Sequence, residues 1–197
     1  MSKVKLAALL LLPVVIGLIV GIWLSKNGAS DPQAQKYAAI GGDFTLQSAH
    51  GPVSLKDFRG KVAVIYFGYT ACPDICPTSL GMMATAFRSL SRDELDQVQG
   101  IFISVDPERD TPEVMDKYAT FFHPKILGLT GTPQDIAKVA KKYAVYYKKA
   151  RLEGSAMGYG MDHSSSIYIV GKNGQIADIV AHGAKPASIA EAIRKAM

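Results

Sequence analysis

Cys72 and Cys76 are the only cysteines of the 197-residue chain, and three residues separate them in the stretch GYTACPDICPTS. A pair so spaced can close a structural disulfide, exchange with another protein's disulfide, or place two sulfurs on one metal ion. The structural disulfide would close a small loop and so constrain the unfolded chain little. Two thiolates rarely satisfy a metal alone, so a third donor has to come from the four histidines, His50, His123, His163 and His182.

The elements that must position these residues follow from periodicity. Residues 61–66 carry VAVIY, a continuous apolar run suited to a central strand buried on both faces. A helix is predicted over 77–90, with proline in its first turn. The cysteines therefore lie between a buried strand and a helix, at the sheet edge where α/β proteins place their sites. A helix N-terminus also favours thiolate over thiol. Upstream, 44–46 and 53–55 flank His50-Gly51-Pro52 as a short hairpin. Downstream, 101–105 (IFISV) reads as a second buried strand, and a helix runs from Asp110 to residue 122 and stops before Pro124. Asp110 with Glu113 three residues on resembles a capping box at its start. A strand at 126–129, a helix at 133–143 and a strand at 145–148 come next. Strands at 165–170 and 175–180 flank Lys172-Asn173-Gly174, whose Asn-Gly is a hairpin signal, and a helix at 187–196 closes the chain. This order is that of a mixed α/β, thioredoxin-like domain.

In such a domain the loop entering the first arm of the last hairpin packs over the cysteine loop. Thioredoxin-like redox enzymes typically carry a cis-proline there. Here the segment is Met161-Asp162-His163-Ser164, with no proline. His163 thus occupies the position from which a redox enzyme holds its substrate's backbone, which favours metal binding over disulfide exchange. The other three histidines are expected in capping or surface roles. Two soft thiolates and one imidazole suit three-coordinate Cu(I), and Cu(II) would take the same set with a weaker fourth donor. Zinc accepts these residue types too, but wants a fourth protein ligand or an open position. Met157, Met161 and Asp162 are the candidates for a fourth donor.

The sequence resembles the Sco/SenC family of copper-binding cytochrome c oxidase assembly proteins. The likeness rests on residues 66–79 (YFGYTACPDICPTS), on 103–112 (ISVDPERDTP), and on Met161-Asp162-His163-Ser164 leading into SIYIV. It implies that Cys72, Cys76 and His163 are the ligands of copper, as Cu(I) and as Cu(II). It also implies a partner, the CuA domain of oxidase subunit II, to which copper is delivered or whose cysteines are kept reduced. Other periplasmic copper carriers would be further partners.

Asp106, Glu108, Arg109 and Asp110 follow the second buried strand and share the cysteines' sheet edge. Asp110 is explained as a helix cap. Asp106 and Asp162 are the candidates to stand behind the ligands and shape the site.

The formal net charge is +5, which would suit nucleic acid if the charge were clustered. It is not: Lys3, Lys5 and Lys26 border an apolar N-terminal run, and the 19 basic residues left of the 22 nearly balance the 17 acidic ones. No nucleic-acid partner is expected. That run, residues 6–24 (LAALLLLPVVIGLIVGIWL), carries no charge and as a helix would span about 28 Å, close to the hydrocarbon thickness of a bilayer. It reads as a single transmembrane anchor, with a cleaved signal peptide as the alternative. The expected organisation is a cytoplasmic N-terminus at 1–5, the anchor at 6–24, a linker at 25–39 and the copper-binding domain at 40–197. Lys3 and Lys5 favour an N-terminus inside, placing the domain in the periplasm of a bacterium, anchored to its inner membrane.

Two functions compete on these residues. One is a copper metallochaperone without turnover of its own; the other is a thiol–disulfide oxidoreductase in which Cys72 and Cys76 are the redox pair. A peroxiredoxin-type peroxidase lacks its Pro-x-x-x-Thr-x-x-Cys loop here, since Thr70 precedes Cys72 by two residues with no such proline.

Overall fold

The computed structural model describes residues 36–151 and 158–197. The expected anchor at 6–24, most of the linker, and Met157 lie outside the described residues. Among the described residues, no helix is long and apolar enough to cross a membrane.

The domain is mixed α/β and is built on a five-stranded sheet. Its centre is β3 (Val62–Gly68), where every residue is buried, as the unbroken apolar run requires when both faces are covered. β3 pairs in parallel with β4 (Val98–Ser104), and β4 with β5 (Ile126–Leu129). On its other side β3 pairs antiparallel with β8 (Ile167–Val170), and β8 with β9 (Ile176–Val180), giving the order β5-β4-β3-β8-β9. β8 and β9 are the expected Asn-Gly hairpin, with Gly174 at φ 81°. The N-terminal hairpin, β1 (Thr45–Ser48) with β2 (Gly51–Ser54), reaches the main sheet through Gln47 and Thr130, which exchange backbone hydrogen bonds.

Helix α1 (Ile75–Arg88) packs with α5 (Pro186–Lys195), while α3 (Pro112–Phe122) lies on β5. The approach of α3 is so close that a Cβ at Gly128 would run into the Met115 backbone. α4 (Pro133–Lys142) buries Ile136, Val139 and Ala140, and Tyr143, next after it, is also buried. A short helix, α2 (Arg92–Asp96), was not expected from periodicity. Its signal was present all the same: Ser91 and Glu94 form a full capping box.

Three expectations need correction. Helix α1 starts at Ile75, two residues ahead of Pro77, because a sulfur caps it there, as described below; Pro77 keeps its place in the first turn. The N-cap of α3 is Thr111, whose Oγ1 accepts the Val114 amide, and not Asp110. Asp110 is fully buried and turned inward, where donors from two other segments hold it. Finally, residues 145–148 are only partly strand. The strand is β6 (Tyr147–Arg151), and it pairs antiparallel with an unexpected β7 (Tyr159–His163), so that His163 ends a strand instead of lying in a loop.

Candidate metal centre

The cysteine arm of the site grows directly out of the core. β3 ends at Gly68, and a Cβ there would sit 2.7 Å from Cys76 Sγ, 3.0 Å from the Phe102 ring and 3.1 Å from the Tyr66 ring. Only glycine lets Cys76, itself fully buried, come so close to the strand end. Helix α1 begins after Asp74, whose side chain makes no capping bond. The Cys72 sulfur caps it instead, accepting the Cys76 amide at 3.5 Å. A helix needs its first amides satisfied; a sulfur that does so is drawn to the helix end and to the neighbouring thiol together. The loop between is anchored at Thr70, whose amide (3.1 Å) and hydroxyl (2.5 Å) both donate to the Asp110 carboxylate. The Ser104 hydroxyl donates to the same carboxylate at 2.6 Å.

The histidine arm is the β6–β7 hairpin, which stands outside the main sheet. His163 Nδ1 lies 2.8 Å from the Ser164 carbonyl oxygen. A carbonyl can only accept, so Nδ1 carries a proton toward it and Nε2 is the nitrogen turned to the cysteines. That nitrogen is 3.3 Å from Cys76 Sγ. The imidazole is held between two aromatic edges, Tyr69 at 5.8 Å and Tyr66 at 6.3 Å between ring centroids. The Tyr66 hydroxyl points to Cys76 Sγ at 3.8 Å.

The two cysteines are free thiols with opposite tendencies. Cys72 is lowered to about 4, chiefly by a hydrogen bond from the Cys76 thiol, with the amides of Asp74 and Cys76 and the His163 ring adding to it and burial opposing. Cys76 moves upward, because its proton is held by the Cys72 sulfur and because it is buried. The cysteine pair therefore shares one proton, held on Cys76 and directed at the Cys72 thiolate. Burial, and then the neighbouring Cys76, push the Tyr66 phenol upward, so it stays a donor.

One ligand atom from each of Cys72, Cys76 and His163 lies within 4.8 Å of the others. Among the described residues this is the one group of three or more histidine, cysteine or acidic side chains so arranged, and no fourth such residue joins it. The site opens into a cavity of about 370 Å³ lined by Cys72 and His163 with Tyr69, Pro73, Asp74, Ile75, Met161 and Asp162, while Cys76 lies buried behind it. Asp162 is exposed on its rim, opposite Lys148 in the hairpin register, and Met161 lines its wall. Asp106, almost fully buried, is engaged elsewhere: its carboxylate accepts from Arg109 Nε and, at 2.9 Å, from the Tyr159 hydroxyl.

The remaining histidines stand apart from this group. His50 is exposed beside Asp116. His123 ends α3 and accepts the Lys125 amide on Nδ1, and His182 pairs with the Ser79 hydroxyl at 3.1 Å. Sequence reasoning passed over Tyr66 and Tyr69, which flank the imidazole. Tyr66 was hidden by being one more apolar letter in a buried strand.

The sequence profile of the SCO1/SenC family matches residues 32–197. The chain belongs to the SCO1/SenC family. A curated relative, the mitochondrial SCO2 homolog of Bos taurus, is 38% identical over 187 residues, covering 90% of this chain and 70% of that protein. Among solved structures, ScoI of Bradyrhizobium japonicum, determined with copper bound, superposes with a TM-score of 0.72 at 41% identity, covering 81% of this chain and all of that one. BsSco, described as a member of the Sco family of cytochrome c oxidase assembly proteins with a disulfide switch, superposes with a TM-score of 0.62 at 27% identity, covering 80% of this chain and 93% of that one. The thioredoxin-like fold expected for this family member is thus the fold it has.

Proposed function

We propose that this chain is a membrane-anchored copper metallochaperone that binds copper through Cys72, Cys76 and His163 and assists assembly of the CuA centre of cytochrome c oxidase. The observation that carries this reading is the convergence of two soft sulfurs and one imidazole nitrogen within 4.8 Å. Three such donors suit Cu(I), whereas a closed zinc site asks for a fourth protein ligand, and no further histidine, cysteine or acid among the described residues joins the group. Copper in the Bradyrhizobium relative supports the choice of metal, and the assembly role ascribed to the family of BsSco supports the destination. The CuA domain of subunit II is the proposed recipient, and other periplasmic copper carriers are the proposed source. The apolar run at 6–24 supports an anchor in a bacterial inner membrane with the domain in the periplasm. Protease accessibility in spheroplasts tests that placement.

Titrating the reduced full-length protein with Cu(I), and separately with Cu(II), should load one copper per chain. The Cu(II) form should show a thiolate-to-copper absorption band. Equal copper affinity in wild type and His163→Ala would sink the three-ligand site.

A second reading has its own observation in the low-lying Cys72 thiol beside the buried Cys76. The Cys72 thiolate would attack a partner disulfide and form a mixed disulfide, releasing one partner thiolate. Cys76 would then displace the second, leaving a Cys72–Cys76 disulfide and a partner reduced by two electrons. Reduction of an oxidised CuA domain by copper-free protein tests this, and no reduction on mixing would count it out.

A further inference from the structure

The β4–α3 loop, residues 105–111, touches both arms of the metal centre through two carboxylates of one short segment. Asp110 holds the cysteine arm through the amide and hydroxyl of Thr70. Asp106 holds the histidine arm by a closed polar triangle. One of its oxygens accepts from Arg109 Nε and the other from the Tyr159 hydroxyl at 2.9 Å. Arg109 Nη1 donates to the Tyr159 backbone carbonyl at 3.1 Å, and its guanidinium lies 3.8 Å from the centre of the Tyr159 ring. The same guanidinium is 5.6 Å from the ring of Tyr69, which in turn stands edge-on to His163.

The position of Tyr159 along its strand gives this triangle leverage. β7 begins at Tyr159 and ends at His163, so the two are about 13 Å apart at the rise of an extended chain. At the His163 end the hairpin is tied at its root, where the Ser164 amide donates to the Tyr146 carbonyl and the Tyr146 amide to Ser164 Oγ. A strand held only at its root can swing; a second hold at the far end fixes its direction. Arg109 supplies that hold in a form lysine would not, since a planar fork can bond an acceptor on each edge while stacking on a ring.

We propose that Arg109, braced by Asp106 and stacked on Tyr159, is a positioning residue for the metal centre: it sets the β6–β7 hairpin so that His163 Nε2 faces the two cysteine sulfurs. The inference rests on the copper-site reading for its consequence, but its mechanical part stands without metal. A neighbouring link, Lys149 to Glu108 at 2.7 Å, joins the same loop to the same hairpin with both side chains largely in solvent. Exposed pairs of that kind contribute little, so it serves as the internal control.

The test uses the full-length protein with Arg109→Ala, Tyr159→Phe and Glu108→Gln, each made in the wild-type and in the His163→Ala background. Cu(I) affinity is read by competition with a chelator, and Cu(II) coordination by the nitrogen coupling in its EPR spectrum. Arg109→Ala should weaken Cu(I) binding about tenfold or more, the range seen when a group supporting a ligand is lost, and should diminish the imidazole nitrogen coupling. Tyr159→Phe, which keeps the ring and removes only the hydroxyl, should weaken it less; it carries the test if Arg109→Ala fails to fold. Glu108→Gln should change neither reading. In the His163→Ala background the Arg109 and Tyr159 substitutions should each alter affinity by less than about twofold, because a residue that acts through His163 has nothing left to act on. Losses of equal size in both backgrounds, or no loss in either, overturn the proposal. Amide hydrogen exchange of the copper-free protein decides the mechanical part: β6–β7 amides should exchange faster in Arg109→Ala while β3–β4 amides do not. Unchanged exchange overturns it, whereas wild-type protein that binds no copper overturns the copper reading instead.

Discussion

The two arms of the metal centre are held by different physics. The cysteine arm leaves a strand with every residue buried, passes Gly68 in contact with Cys76, and enters a helix that the Cys72 sulfur itself caps. Close packing fixes it, and packing tolerates little change of volume. The histidine arm is a two-stranded hairpin beside the main sheet, with only Gly160 buried among its described strand residues. Hydrogen bonds and one stacked guanidinium fix it, and such contacts can be weakened one at a time. A centre built this way keeps its two sulfurs in place whether or not the imidazole is engaged. That suits the proposed chaperone role, since one ligand can yield while the other two still hold.

The sharpest way to break this comparison is to remove a ligand from each arm. Cys76→Ala takes a sulfur from the rigid arm and should cost well over a hundredfold in Cu(I) affinity, more than the 10–100-fold typical of groups that merely support a ligand. His163→Ala should cost less, because the two sulfurs remain preformed. Chelator competition on the reduced protein measures both, and a larger loss for His163→Ala would reverse the assignment of rigid and yielding arms. Next in size is Gly68→Ala. Its new methyl would meet Cys76 Sγ at 2.7 Å with the Phe102 and Tyr66 rings behind it, an overpacking expected to cost about 1–3 kcal/mol. Urea unfolding of the copper-free protein reads it, and an unchanged midpoint would show that the strand end is looser than the packing implies.

The same contrast explains what could be read from the sequence. VAVIY and IFISV announce buried strands because burial on both faces leaves an unbroken apolar run. The Asn-Gly turn announces the last hairpin, and with these the α/β class and the seat of the cysteines were legible. The hairpin carrying His163 was not, since YKKAR and YGMDH are largely polar and half exposed, without the alternation that marks a strand on a core. Its partner is chosen by cross-strand hydrogen bonds and by Arg109, neither of which leaves a periodic trace. Asp110 was misread for a related reason. An acid, a proline and a glutamate at that spacing resemble a cap, and only burial shows that Thr111 caps while Asp110 binds Thr70 and Ser104. Strand neighbours such as β3 beside β8 are equally invisible to periodicity, which encodes faces and not partners.

Within the cysteine arm the two sulfurs should separate by pH. Cys72 is lowered to about 4 by the Cys76 thiol and the helix amides, against roughly 8.5 for an unperturbed cysteine. An acid held below its unfolded value favours folding above that value, and the contribution fades as pH falls through the folded one. Cys72 should therefore stabilise the reduced domain fully above about pH 8.5 and progressively less toward pH 4. Iodoacetamide labelling of copper-free Cys72, which faces the open cavity, should already be near its plateau rate at pH 6. A rate climbing tenfold per pH unit up to about 8.5 would mean that an ordinary thiol sits there.

The smallest expected effect lies at the root of the histidine arm. Ser164 serves the site in two ways: its carbonyl oxygen accepts from His163 Nδ1, and its hydroxyl oxygen accepts the Tyr146 amide at 3.0 Å. Ser164→Ala removes only the second. The freed amide of half-exposed surroundings can bond water instead, so the cost should fall at or below about 0.5 kcal/mol, the low end for a single hydrogen bond. Because the backbone carbonyl remains, the imidazole keeps its tautomer and copper affinity should stay within about twofold of wild type, a change of about 0.4 kcal/mol. A large loss of copper on Ser164→Ala would place control of His163 at the root of the hairpin and not at its Tyr159 end. It would then be the short tie beside the ligand, and not the long lever through Arg109, that distinguishes the yielding arm from the rigid one.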